Sequence, residues 1–189
     1  MKKVTLFLVA LLAACGSLMA QQYNFPDVSG NPGFNLLESG NAAVKVRFSV
    51  PFFALEDQTV EGVPMKYINL PGTFLFNDEG MPNLPGKGKY IAIPQGSVPS
   101  LRIVSQVTET IHNVEIAPSA RIPLDLDDRP VEYAKNMQVY TRNALYPASP
   151  VSISEVTQIR GTDAVLLGIT PFQYNPVTKD LVVYKNLEV

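Results

Sequence analysis

One histidine, His112, and one cysteine, Cys15, bound the chemistry open to this 189-residue chain. A Ser-His-Asp relay needs its imidazole between a serine and a carboxylate. His112 falls within a strand-like run, and no nucleophile-elbow motif occurs, so it reads as a strand histidine satisfied by a local partner. Cys15 lies in the first twenty residues, and removal of that segment leaves no thiol. Disulfides, a thiolate zinc site and a cysteine nucleophile are then excluded. Asp125-Leu126-Asp127-Asp128 carries oxygens suited to calcium, but no glycine follows at EF-hand spacing, which makes it a solvated acidic loop. Gly86-Lys87-Gly88-Lys89 lacks both the P-loop spacing and the Ser or Thr after lysine, and reads as a flexible basic turn. No cofactor or metal is expected. These residues equip the chain for binding, covering or scaffolding rather than for a recognisable reaction.

Composition agrees. The chain is 46% hydrophobic and 17% charged, which separates it from disordered sequences, and its formal charge of −2 argues against a nucleic-acid partner. Lys2 and Lys3 precede an apolar run, Val4 to Ala14, too short to span a bilayer, and Ser17-Leu18-Met19-Ala20 closes it with small residues. This pattern describes a secretory signal peptide over residues 1–20, with cleavage between Ala20 and Gln21. Leu12-Ala13-Ala14-Cys15 offers a second processing site, a lipobox whose cysteine would be acylated and tether the chain to a membrane. Both routes take the protein out of the cytoplasm, to the cell surface or beyond.

The elements that would carry a binding surface are strands. Residues 21–43, rich in Gly, Asn, Pro and Ser, read as an irregular lead-in. From residue 44, Val44, Val46, Phe48 and Val50 alternate with Lys45, Arg47 and Ser49, the period of a half-buried strand that Pro51 ends. Further strand-like runs cover Met65–Leu70, Thr73–Phe76, Lys89–Ile93, Leu101–Ile116, Val151–Ile159, Ala164–Thr170 and Leu181–Val189. Turn signals separate them at Asn77–Gly80, Pro94–Gly96, Arg160–Asp163 and Asn175-Pro176. The apolar parity switches near His112-Asn113 and again near Glu155, where a bulge or break is expected. Ala164–Ile169 is apolar on both parities, as in a strand covered on two faces. The one helix candidate is Pro130–Gln138, with loops filling the span from about Pro118 to Pro150. The expected fold is all-β, a jelly-roll-like β-sandwich over 44–189.

Leu181–Val189 is a clean alternating strand with no polar terminator after it. That reads as the front part of a longer precursor, since an exposed apolar edge invites aggregation.

Several strings together carry a resemblance: GMPNLP (Gly80–Pro85), YIAIP with a following glycine (Tyr90–Gly96), EIAPS (Glu115–Ser119), LYP (Leu145–Pro147), IRG (Ile159–Gly161) and PFQYNPVTKDLVVY (Pro171–Tyr184). The chain resembles the N-terminal propeptide of gingipain-type cysteine endopeptidases. The resemblance implies a β-sandwich ahead of a caspase-like catalytic domain, held latent during export. It places the catalytic Cys and His in that downstream domain, so none is carried onto this chain. A covalently linked inhibitor works at millimolar effective concentration, an advantage lost when the linker is cut. Where the enzyme prefers Arg or Lys, a loop with a basic side chain is the expected plug. Arg129 and Arg121, in the loop after Ala117-Pro118-Ser119, are the candidates. The plainer reading of each arginine is a solvated side chain paired with Asp127 or Asp128, and the alternative to the propeptide is a stand-alone, lipid-anchored surface β-domain with an adhesive or binding role.

Overall fold

The computed structural model describes residues 20–40, 42–73, 77–121 and 131–189. Seven strands come first: β1 (Gln21–Asn24), β2 (Gly33–Ser39), β3 (Val44–Ser49), β4 (Phe52–Val60), β5 (Val63–Asn69), β6 (Lys87–Ala92) and β7 (Ser105–Ile111). A one-turn helix, α1 (Met137–Tyr140), precedes β8 (Val151–Ile153), β9 (Thr157–Ile159), β10 (Thr162–Ile169), β11 (Phe172–Asn175) and β12 (Asp180–Glu188). All strand pairs are antiparallel and fall into three sheets. These are β1-β4-β5, β6-β10-β8 with β9 also on β10, and β11-β12-β3-β2 with β7 along the other edge of β12. The all-β expectation holds.

One hydrophobic core joins the three sheets. Phe48 of β3, Phe53 and Leu55 of β4, Ile68 of β5, Ile169 of β10, Phe172 and Tyr174 of β11, and Leu181 and Leu187 of β12 are all buried in it. Phe53 is its aromatic hub. It stacks on Tyr23 at 4.9 Å, meets Phe172 edge-on at 5.2 Å and lies 6.1 Å from Phe25. Such offset and T-shaped pairs add to the area term.

The expected lead-in over 21–43 is corrected by these contacts. Its first residues form β1 on β4, and Gly33–Ser39 forms β2 on β3. Tyr23 and Phe25 carry the burial, and Gly30 and Gly33 turn the chain between the strands at φ of 93° and 84°. Turn-forming residues hid two short strands. The helix expectation also moves. Pro130 lies outside the described residues, 131–136 is not helical, and α1 starts after Asn136, whose Oδ1 accepts the Gln138 amide at 3.0 Å.

The phase changes fall where the alternation breaks. β7 ends at Ile111, and Asn113 has φ 59°. Residues 154–156 separate β8 from β9. The Leu101–Ile116 run is nevertheless a strand only over 105–111, an edge strand paired with β12, in which Val107 is 47% exposed. Thr73 is not in a strand, and the rest of the expected Thr73–Phe76 run lies outside the described residues, as do residues 1–19 with Cys15. Among the described residues no helix is long and apolar enough to cross a membrane.

Candidate functional site

The segment after β7 is built as a neck that holds the two ends of the loop containing the candidate arginines. Glu115 to Ser119 runs between β5 and residues 81–83. Lys66 N–H donates to the Glu115 carbonyl at 2.7 Å, Ala117 N–H to Lys66 at 2.9 Å, and Asn83 N–H to Ala117 at 2.9 Å. Ile116, Ala117, Pro118 and Ser119 are buried, as backbone paired on both edges must be.

Gly80 clasps both legs of the loop. Its N–H donates to the Ser119 carbonyl at 3.0 Å, and its own carbonyl accepts the Asn136 N–H at 2.9 Å. Ser119 N–H reaches the Met81 carbonyl at 2.7 Å, and Arg121 N–H meets the Glu132 carbonyl at 3.4 Å, so the legs also touch each other. Gly80 has φ 77°, and a Cβ there would stand 2.8 Å from the Ala134 carbonyl oxygen and 3.0 Å from the Asn136 nitrogen. Only glycine combines the left-handed backbone with this approach.

Side chains tie down the returning leg. Glu115 accepts Lys135 Nζ at 3.0 Å and Lys179 Nζ at 2.7 Å. Hydrogen bonding to Lys179 is the main influence that lowers the Glu115 pKa below the ordinary glutamate value. Lys135 also lies 5.1 Å from the centre of the Tyr140 ring, and the Tyr140 hydroxyl donates to the Ile116 carbonyl at 3.0 Å. Burial raises the Tyr140 pKa far above the usual phenol value and pushes Tyr174 up to about 12, so both stay neutral. Tyr133 packs on a small cluster of Val60, Met65 and Ala117.

The sequence candidates sit around this neck unevenly. Arg121 is half-buried at the root of the outgoing leg and already engaged within the chain. Arg129 and Asp125–Asp128 lie outside the described residues. His112 stands just past β7, 69% exposed, with Nδ1 2.6 Å from Asp180 Oδ1, which is the local satisfaction its reading called for. Gly86–Lys89 is not a flexible turn: Lys87 opens β6, and pairing to β10 places Gly88 opposite Gly168. Among the described residues no three or more His, Cys, Asp or Glu side chains converge to hold a metal ion. Among the described residues the geometry is that of two chain legs, one ending at Arg121 and the other resuming at Val131, held side by side on a β scaffold.

Comparison with known proteins specifies the class. A solved complex of the pro- and mature domains of RgpB from Porphyromonas gingivalis contains a chain of the same fold, with TM-score 0.75, 22% identity and 84% of each chain covered. The structure described as an insight into zymogenic latency of gingipain K, from the same organism, matches with TM-score 0.72 and 20% identity over 92% of this chain and 98% of that one. Among curated proteins, Gingipain R1 of P. gingivalis is 30% identical over 188 residues, covering 94% of this chain and 18% of the relative. Lys-gingipain HG66 is 27% identical over 198 residues, covering all of this chain and 11% of the relative. The chain therefore spans less than a fifth of the length of these relatives. Residues 24–189 match the Propeptide_C25 family, and the chain belongs to it. The resemblance drawn from the short strings is confirmed.

Sequence reasoning did not assign roles to Gly80, Glu115, Tyr133 or Lys135. The strings GMPNLP and EIAPS contain the first two, but a clasp that joins Gly80 to Ser119 and Asn136, far along the chain, has no local signal.

Proposed function

We propose that this chain is the propeptide of a secreted gingipain-like cysteine endopeptidase, keeping the catalytic domain that follows it latent and assisting its folding and export. Membership of the propeptide family over nearly the whole exported chain carries this reading. The clasped loop supplies a device: a segment held at both ends by Gly80 can enter a cleft while its scaffold stays rigid, which limits the ordering cost of binding. Arg129 and Arg121 remain the proposed plug. Arg129 is ahead of Arg121, which is already engaged within the chain.

An extracellular or cell-surface location accompanies the reading, with residues 1–20 as leader and cleavage before Gln21. That position is supported by β1, whose pairing starts at Gln21 opposite Leu55, so a cut there spares every strand among the described residues. The test is addition of purified 21–189 to the mature proteinase of the same precursor. Inhibition at or below micromolar concentration is expected, and Arg129→Ala should weaken it at least tenfold. No inhibition by the wild-type chain at micromolar concentration overturns the function. Equal potency of Arg129→Ala removes that residue from the plug.

A further inference from the structure

A second feature lies apart from the loop neck. Lys87, the first residue of β6, reaches into a cleft of about 40 Å3 where β2, β4 and the turn after β5 converge. Its walls are apolar, formed by Pro32, Phe52, Leu70 and Pro71, with glycines at Gly33 and Gly72. Lys87 Nζ lies 3.8 Å from where a Cβ would stand on either glycine, both at positive φ, so the ammonium sits at contact distance from both turns.

Lys87 is half-buried and has no ion-pair or hydrogen-bond partner among the described residues. Every other half-buried cation there is engaged. Lys45 and Arg47 share Glu188, Lys66 meets Asp57, Lys135 meets Glu115, Lys185 meets Asp27, and Arg121 has its own contact. The nearby hydroxyls are already committed as donors, Thr73 to the Leu70 carbonyl and Ser49 to the Ser29 carbonyl. The cleft therefore offers one cation in apolar surroundings, the complement of a single carboxylate rather than of a phosphate needing several donors.

Its size selects the source of that carboxylate. Pockets for free small ligands run to several hundred Å3, whereas this cleft takes one side-chain head group. The anion must therefore project from a larger surface. A two-fold dimer of this chain would need a carboxylate in the same patch, and none lines the cleft. We propose that the cleft receives an acidic side chain of the proteinase domain, with Lys87 as its counter-ion, an inference that rests on the propeptide reading above. Docking there would form a contact separate from the loop, and it would close over a charge that is otherwise costly to cover.

The test measures inhibition of the mature proteinase by the exported chain and by Lys87→Met, Lys87→Glu and Lys89→Met, at low and high salt. Lys89 is exposed on the same strand and serves as the control. Thermal midpoints identify any misfolded variant. Lys87→Met should weaken inhibition by roughly tenfold or more and flatten its salt dependence, Lys87→Glu should weaken it further, and Lys89→Met should match wild type. If the wild-type chain inhibits and Lys87→Met does so equally, with the same salt slope, the cleft inference is wrong and the propeptide reading stands. If wild type does not inhibit, both fall. A change in self-association caused by Lys87→Met, with inhibition intact, also overturns it by making the occupant a second copy.

Discussion

The Gly80 carbonyl accepts the Asn136 amide at 2.9 Å while the Gly80 amide donates to Ser119 at 3.0 Å, so one residue joins the two ends of the loop between them. This makes loop presentation separable from scaffold stability. The loop legs answer to residue 80, whereas the sandwich answers to its core.

Gly80→Ala should act on the loop. The left-handed backbone costs an alanine about 1–2 kcal/mol, and its Cβ would press on backbone atoms of residues 134 and 136. Inhibition of the partner proteinase should fall at least tenfold. Gly62→Ala is the control, because Gly62 has a similar φ of 79° and no atom within 4 Å of its Cβ position. It should lose about the same backbone term without losing potency. Equal loss of potency in both variants would show that the clasp has no special role.

Much of the sandwich was legible because period-two alternation reports burial directly. The strands expected from Val44, over Met65–Leu70 and over Ala164–Thr170 are found, with bounds shifted by up to two residues, at Val44–Ser49, Val63–Asn69 and Thr162–Ile169, and the breaks near Asn113 and Glu155 follow from parity alone. Strands with an interrupted pattern were not legible. β4 starts at Phe52, directly after Pro51, and loses its apolar alternation at Glu56–Thr59, before Val60 is buried on the other parity. β12 was legible as the alternating strand Leu181–Val189, although Lys185 falls on the apolar parity of Leu181, Val183 and Leu187. The structure accommodates it with a register shift between Tyr184 and Asn186, and the ammonium lies 5.2 Å from the centre of the Phe25 ring and 3.1 Å from Asp27. The site was less legible than the fold, since the clasp and the Glu115 pairs join residues distant in the chain, and no local pattern encodes them.

Glu115 sets an acid limit. Its pKa is lowered in the folded state, first by Lys179, so its stabilisation is present above the ordinary glutamate value of 4.5 and is lost as pH falls below that value. Glu188, held low first by Arg47, and Asp180, held low first by His112, act in the same direction. Denaturant unfolding should show stability declining as pH drops from about 5 to 3. Glu115→Gln should be less stable at neutral pH and decline less steeply. A parallel pH profile would show that the Lys135 and Lys179 pairs contribute nothing.

Phe53 links β1, β4 and β11 through three aromatic neighbours. Phe53→Ala should cost about 3–5 kcal/mol, read as a lower midpoint in urea. Phe53→Leu should recover much of that loss. Because Tyr23 stacks directly on this ring, the alanine variant should also free β1 first, seen as faster amide exchange at Tyr23 than at Leu187. Uniform exchange across both sheets would mean that β1 is held by its backbone pairing alone.

Gln173 is buried and bridges two segments. Its amide nitrogen donates to the Pro147 carbonyl at 2.7 Å, and its Oε1 accepts the Tyr184 hydroxyl at 2.5 Å. Burial alone raises the Tyr184 pKa, so the phenol stays a donor throughout the neutral range. Tyr184→Phe keeps the ring but leaves Oε1 without a donor, which should cost about 1–3 kcal/mol. Gln173→Leu is the more telling change. It strands both the Pro147 carbonyl and the Tyr184 hydroxyl, so it should cost more than Tyr184→Phe. Combining the two should then recover part of the loss, because the double variant no longer buries an unpaired hydroxyl. Additive losses in that double-mutant cycle would mean that the two side chains do not act as a pair.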